Sequence, residues 1–422
     1  MSIYFDYNAT TPLAPSVIEK IGEALRTKWG NPSSSYSIGI NAKESIDEAR
    51  AHVASMIQAK PEDIIFTSGG TEANNMVIFG ILEYFKRFTD TVSSTKIPKN
   101  DNTGKPHVIT TNVEHDAVIL PLRYLERRGD IDLSIVPVAS NGRISVEDVM
   151  SHVKQKTCLI TVMHANNETG VIMPVVEIGR SLKKLNNERK SKGYVRILYH
   201  TDSAQAIGKI TVDVNELHVD YLTIVGHKFY GPRIGALFVR GPASVSPIQP
   251  MFYGGGQERG WRPGTENTPM IVGLGEAARL VHDNLHSYQD HMLSIRTYLE
   301  EKLMETFGKD NIRFNCSSSD RLPNTSNISL VGNGLYGHVL LSKCQFLTAS
   351  IGAACHKQNK PSGILLASGI QAEMAANAIR LSVGRDTTKG DVDSIVSDLL
   401  QAVTTVQKQH KETNYRNSHE NN

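Results

Sequence analysis

Between Asp63 and Arg240, short runs rich in β-branched residues alternate with longer helix-like stretches, and that alternation restricts the chain to βαβ units around a largely parallel sheet. Ile64-Ile65-Phe66-Thr67, His107-Val108-Ile109-Thr110, Leu159-Ile160-Thr161-Val162 and Tyr221-Leu222-Thr223-Ile224-Val225 each have the length of a buried strand. With 422 residues, the chain exceeds the size at which one core keeps growing, so a large and a smaller domain are expected. Gly254-Gly255-Gly256 and Arg262-Pro263-Gly264 punctuate the chain before a long helical pattern from about Pro269 to Glu305, and the boundary is placed there. The Ser, Thr, Lys, Asn and Pro-rich stretch 87–106 reads as an inserted surface loop. Residues 408–422 are too polar to bury a face and read as a disordered tail.

A net charge of +2 with interspersed signs leaves no electrostatic footprint for nucleic acid or an anionic membrane, so a small-molecule substrate is the default. No apolar run is long enough to span a bilayer, and the N-terminus lacks the pattern of a secretory signal, which points to the cytosol. Cys158, Cys316, Cys344 and Cys355 form no CxxC pair and no metal-ligand spacing, so they read as reduced thiols and no metal is expected.

Lys228 follows the apolar run Ile224-Val225-Gly226-His227, at the end of a strand where α/β sheets open into a crevice. Shielded from water there, its amine would be partly neutral and able to form a Schiff base; a solvated surface lysine is the simpler alternative. Asp202, in His200-Thr201-Asp202, comes just after the strand-like run Arg196-Ile197-Leu198-Tyr199. A carboxylate so placed can keep a pyridine nitrogen protonated and make its ring an electron sink, although a helix cap explains it equally well. Thr67-Ser68-Gly69-Gly70-Thr71-Glu72 leads from a strand into a helix-like stretch, either a phosphate cradle at a helix N-terminus or a plain capped turn. His115, after the run containing Val108, could stack on a flat ring or be hydrogen-bonded in place. Cys355 follows small residues and precedes a polar loop, where His356 and Lys357 favour a reactive thiolate; the other three cysteines lack that setting. Arg380 and Arg385 supply arginine forks suited to an amino-acid carboxylate, or ordinary surface charge.

Taken together, these segments resemble the NifS-like cysteine desulfurases and selenocysteine lyases, fold-type I pyridoxal 5'-phosphate (PLP) enzymes of the class V aminotransferase group. The similarity runs from Tyr4 to about Val403 and includes Asp6-Tyr7-Asn8-Ala9-Thr10-Thr11-Pro12, Gly30-Asn31-Pro32-Ser33-Ser34, Asn166-Asn167-Glu168-Thr169-Gly170, His200 to Gln205, Gly226-His227-Lys228 and Arg262-Pro263-Gly264-Thr265-Glu266-Asn267. The resemblance implies an α/β fold-type I transferase: a large domain over 14–262 with a mostly parallel seven-stranded sheet, and a smaller α+β domain from 1–13 and 263–407. It implies PLP as cofactor, attached to Lys228, with His115 stacked on the ring, Asn167 beside it, Asp202 on its nitrogen and Gln205 on its phenolic oxygen. Gly70, Thr71 and His227 would hold the phosphate, with Thr265 reaching in from the other subunit of a homodimer. Arg380, with Asn8 near it, would hold the substrate carboxylate, and Cys355 would meet the side-chain chalcogen. Val225 departs from the pattern, since the desulfurases usually have a serine there.

Asp116 after His115, and Ala354-Cys355-His356, resemble the selenocysteine lyases more than the desulfurases, and Asp116 joins the candidate catalytic residues. The expected reaction is decomposition of L-selenocysteine to L-alanine and selenide or selenium, with a selenium acceptor protein downstream. The alternatives are a cysteine desulfurase that forms a persulfide on Cys355, and a non-catalytic binding partner that kept the fold.

Overall fold

The computed structural model describes residues 2–94, 104–352 and 361–420. Strands β1 (Ile3–Tyr4), β2 (Ile64–Thr67), β3 (His107–Thr111), β4 (Asp132–Val136), β5 (Thr157–Thr161), β6 (Leu198–Asp202), β7 (Tyr221–Val225), β8 (Gly235–Val239), β9 (Ile312–Phe314), β10 (Thr325–Leu330), β11 (Leu347–Thr348) and β12 (Ala378–Ser382) assemble into three sheets. The largest has seven strands in the order β2-β8-β7-β6-β5-β3-β4. Its neighbours are parallel except at β8, which runs antiparallel to both β2 and β7. The reason is local: only residues 226–234, opening on the 3-10 turn Gly226–Lys228, join β7 to β8, and a parallel return needs a longer crossover.

The inner strands are buried along their whole length, as a sheet covered on both faces requires, whereas edge strand β4 begins on exposed Asp132. Alternate residues feed two cores. Ile64, Phe66, Leu222, Ile224, Ala236 and Phe238 face one, and Ile65, Tyr221, Leu237 and Val239 face the other.

A separate core lies around the antiparallel sheet β12-β10-β9 and the parallel pair β1-β11. The 40-residue helix Thr268–Phe307 belongs to both regions. Ile271, Leu274, Ala277, Ala278 and Val281 enter the core of the large sheet, while Met292, Ile295, Leu299 and Leu303 enter that of the small one. The boundary expected at 262/263 therefore falls just before a helix that ties the two regions together.

Two expected loops differ in the structure. The helix Gly70–Ser94 runs through the first part of the stretch expected as a loop at 87–106, because Phe85 and Phe88 continue its apolar face and the Thr91 hydroxyl bonds back to the Arg87 carbonyl. Residues 95–103 lie outside the described residues. The tail expected to be disordered from 408 continues the helix Lys389–Glu420. Its last core residue is Val406, but Gln407-Lys408-Gln409 are good helix formers, and extending an anchored helix avoids the cost of nucleation. Among the described residues no helix is long and apolar enough to cross a membrane.

The helices Ser37–Met56 and Thr268–Phe307 cross at a glycine. A Cβ on Gly275 would lie 2.6 Å from the Ala49 Cα, a contact with backbone that no rotamer change relieves. Gly275→Ala should therefore destabilise the protein by roughly 1–3 kcal/mol despite the gain in helix propensity. Urea unfolding of the two proteins measures it.

Candidate active site

A cavity of about 230 Å³ opens at the carboxyl ends of the parallel strands, between the large sheet and the N-terminal segment. Asn8, Gly70, Thr71, His115, Asn167, Asp202, Gln205, His227, Lys228 and Arg380 all line it. These residues lie far apart in the chain, and the sheet order brings them together.

Lys228 ends the 3-10 turn after β7. Its Nζ donates to the main-chain carbonyls of Asn8, at 2.7 Å, and Ala9, at 2.8 Å. Burial, with the Arg380 charge adding to it, pushes the amine down to about 8; Asp202 and Asp6 oppose the shift. A neutral amine is thus accessible near physiological pH, as covalent attachment to a carbonyl requires.

Asp202 is the last residue of β6, not the residue after a strand as the sequence suggested. Pairing with β7 carries the strand on through the register Asp202↔Thr223. Its Oδ1 accepts from Ala204 N at 3.0 Å and its Oδ2 from Asn74 Nδ2 at 2.8 Å. Gln205 donates through Nε2 to the Asn8 carbonyl and accepts from buried Lys209 Nζ at 2.7 Å.

The helix Gly70–Ser94 starts at the cavity, so its free N–H groups and the Thr71 side chain face an anion-sized space. A Cβ on Gly70 would come within 2.6 Å of Val225 Cγ2, so a glycine lets the helix end approach β7. His227 is held near neutrality of charge: burial and the adjacent Lys228 push it down to about 4, and its Nδ1 shares a hydrogen bond with Thr10 Oγ1. His115 caps the helix Asp116–Arg128, its Nδ1 accepting from Ala117 N at 3.1 Å, which puts the ring proton on Nε2.

Arg380, on β12, is 2% exposed; its Nη2 contacts Asp6 Oδ1 at 2.6 Å and its Nη1 donates to the Asn167 carbonyl at 2.8 Å. Its Nε and the Asn167 Oδ1 are buried without a partner among the described residues, leaving a donor nitrogen and an acceptor oxygen for a ligand. The Asn8 amide is spoken for by Asn167, Thr325 and Asn324.

Other expected residues sit elsewhere. Asp116 is exposed and Thr265 is exposed, and neither lines the cavity within the chain. Arg385 stands apart, its guanidinium 4.4 Å from the Tyr230 ring and 3.8 Å from that of Tyr288. Cys355, with His356, lies outside the described residues. Cys158 and Cys316 are buried and pushed upward by desolvation, and burial pushes Cys344 up to about 12, so all three are held as thiols. Asn74 was not anticipated; its only signal was its place in the first turns of the helix that starts at Gly70-Thr71.

The aminotransferase class-V family model matches residues 3–395. The chain belongs to that family. It is 57% identical to selenocysteine lyase of Xenopus tropicalis over 407 residues, which is 95% of this chain and 93% of that protein. To a cysteine desulfurase of Rickettsia massiliae it is 38% identical over 402 residues, 94% of this chain and 90% of the other. A solved structure of a NifS-like protein superposes with a TM-score of 0.82 at 32% identity, covering 96% of this chain and all of that one.

The family is PLP-dependent, and this site fits the cofactor. It offers a buried amine, a carboxylate fixed at both oxygens, the helix end at Gly70 and an unpartnered amide oxygen. Covalent attachment of PLP to the apoenzyme should speed up as pH rises through about 8 and level off above it, because the neutral Lys228 amine is the reacting form. Stopped-flow absorbance measures the rate, and Lys228→Ala should abolish the covalent band.

Glu114 braces the loop before His115, its Oε1 accepting from Met163 N at 2.9 Å and from Thr111 Oγ1 at 2.8 Å. Burial pushes this carboxyl from 4.5 up to about 8. Between those values the unfolded state holds fewer protons than the folded one, so stability falls with rising pH by up to about 1.4 kcal/mol per unit. Glu114→Gln removes that slope. Its melting temperature should gain on the parent's between about pH 5.5 and pH 8 in parallel thermal scans.

Proposed function

We propose that this chain catalyses the decomposition of L-selenocysteine to L-alanine with release of selenium, at the level of the element, or as selenide where a thiol reductant supplies two electrons. The reading rests on the 57% identity to a selenocysteine lyase across 95% of the chain, with an intact lysine-centred pocket beneath it. The weaker similarity to a cysteine desulfurase makes sulfur removal from L-cysteine the secondary activity.

Bound PLP would supply an electron sink for the charge left when the substrate Cα loses its proton. The protein's part is to hold the reactants and move protons. Gly70, Thr71 and His227 hold the phosphate, Asp202 holds the ring nitrogen, Gln205 the phenolic oxygen, and His115 and Asn167 flank the ring. Arg380 binds the substrate carboxylate through the donor it has spare. Lys228 would anchor the cofactor, and its amine, which burial pushes down to about 8, is basic enough to accept the substrate Cα proton and acidic enough to return it. Cys355 meets the selenium leaving Cβ, while Asp116, next to His115 in the chain, is exposed and outside the cavity lining. A selenol ionises more readily than a thiol, so a site that handles the anion selects selenium.

Thr265 is exposed in the single chain, as expected if it reaches a neighbour's phosphate site in a homodimer. Exposed Trp29, Tyr36, Phe252 and Tyr253 supply apolar surface for such an interface. The enzyme would work in the cytosol and pass selenium to an acceptor protein.

Alanine release should be faster with L-selenocysteine than with L-cysteine by on the order of tenfold or more in kcat/KM. Comparable values would favour the desulfurase reading. Cys355→Ala should retain PLP and lose most selenocysteine turnover; undiminished turnover would remove the thiol from the reaction.

A further inference from the structure

A buried line of polar side chains runs through the middle of the large sheet into the cavity. Thr161, His200 and Thr223, on the adjacent strands β5, β6 and β7, are fully buried, and Asn74 is 1% exposed. Thr161 Oγ1 lies 2.8 Å from His200 Nδ1, His200 Nε2 3.1 Å from Thr223 Oγ1, Thr223 Oγ1 2.6 Å from Asn74 Oδ1, and Asn74 Nδ2 2.8 Å from Asp202 Oδ2. His200 and Thr223 do not line the cavity.

The line has a direction. A carboxylate only accepts, so Asn74 must turn its amide N–H toward Asp202 and its oxygen toward Thr223. Thr223 then spends its one proton on Asn74 and can only accept from His200. Desolvation pushes His200 down to about 4, so the ring is neutral and carries a single N–H, which must be on Nε2. Nδ1 is left to accept from Thr161. The opposite sense requires a protonated Asp202 and a proton on Nδ1. The tautomer of His200 and the charge of Asp202 are therefore one variable, read at opposite ends of the chain.

We propose that His200 is a positioning residue for Asp202, acting through Thr223 and Asn74 as a one-way hydrogen-bond chain that keeps the carboxylate accepting and aimed at the cofactor ring. This deepens the proposed function and rests on Asp202 as the partner of the ring nitrogen. Alternative fillings of these positions by apolar side chains would pack equally well in a sheet interior, so the polar chain is a cost that packing does not explain.

The first test is the tautomer of His200 in the holoenzyme labelled with 15N-histidine, assigned by difference from His200→Gln. A proton on Nε2 supports the chain; a proton on Nδ1, or an imidazolium, overturns it. The second compares Thr223→Val, which is isosteric but breaks both middle bonds, with Thr223→Ser, which keeps them. The valine variant should hold PLP roughly tenfold more weakly and shift the bound cofactor's absorption, with the serine variant near the parent. Unchanged affinity and spectrum in a folded Thr223→Val protein would overturn the proposal, and if that variant does not fold the tautomer decides. Asp202→Asn separates the two levels: if it leaves PLP binding and spectrum intact the assignment of Asp202 itself fails, whereas if it impairs them while Thr223→Val does not, only the chain fails.

Discussion

The Lys228 amine faces the cavity with two main-chain carbonyls and no carboxylate bonded to it among the described residues, and much of the architecture answers to that constraint. Its acceptors are two neutral main-chain carbonyls, those of Asn8 and Ala9, which stabilise an ammonium far less than a counter-ion would. To deliver those carbonyls, the N-terminal segment must cross onto the large sheet. It is pinned there by Thr11 N to the His227 carbonyl, Tyr230 N to Thr11 Oγ1, and Ala14 N to the Tyr230 carbonyl. A few residues earlier, β1 pairs with β11 in the other core, through Ile3↔Leu347 and Tyr4↔Thr348. One short segment thus joins both regions and supplies both acceptors of the central lysine, whose basicity burial and the Arg380 charge lower.

The same geometry explains which parts of the site could be read from the chain alone. Lys228 and the Gly70-Thr71 turn sit at strand ends in their own local sequence, and a strand end in a parallel sheet is where a crevice forms. Asn74 looks like any polar residue on a helix. It matters because the strand order puts β6 and β7 side by side, so that Asp202 and Thr223 flank it, and no local pattern carries that order. Asp116 shows the opposite case. It adjoins His115 in sequence and both are exposed, but His115 is the cap, with extended backbone, and lines the cavity, whereas Asp116 begins the helix and does not. The ends of the helices Gly70–Ser94 and Lys389–Glu420 were misread for a thermodynamic reason: composition reports whether a segment could fold alone, whereas continuing an existing helix needs only weak propensity.

Arg380 and Arg385 are five residues apart and equally plausible as carboxylate ligands by residue type, yet burial assigns them different work. Arg385 lies against two aromatic faces with its Nε and Nη2 buried and unpartnered among the described residues, but it does not line the cavity, whereas Arg380 does. Arg380 is buried with an ion pair to Asp6 that uses one amino group and a carbonyl bond that uses another. Asp6 also accepts from Ser350 Oγ at 3.0 Å, so its charge is shared rather than consumed by the arginine. An arginine with all its donors matched would gain nothing from a further anion, and one with none matched would be too costly to bury. Held by Asp6 and Asn167 but with Nε unpaired, the guanidinium is fixed in orientation and keeps one nitrogen with no partner among the described residues. That is the electrostatic condition under which a buried cation binds an incoming carboxylate without first having to be desolvated or ordered.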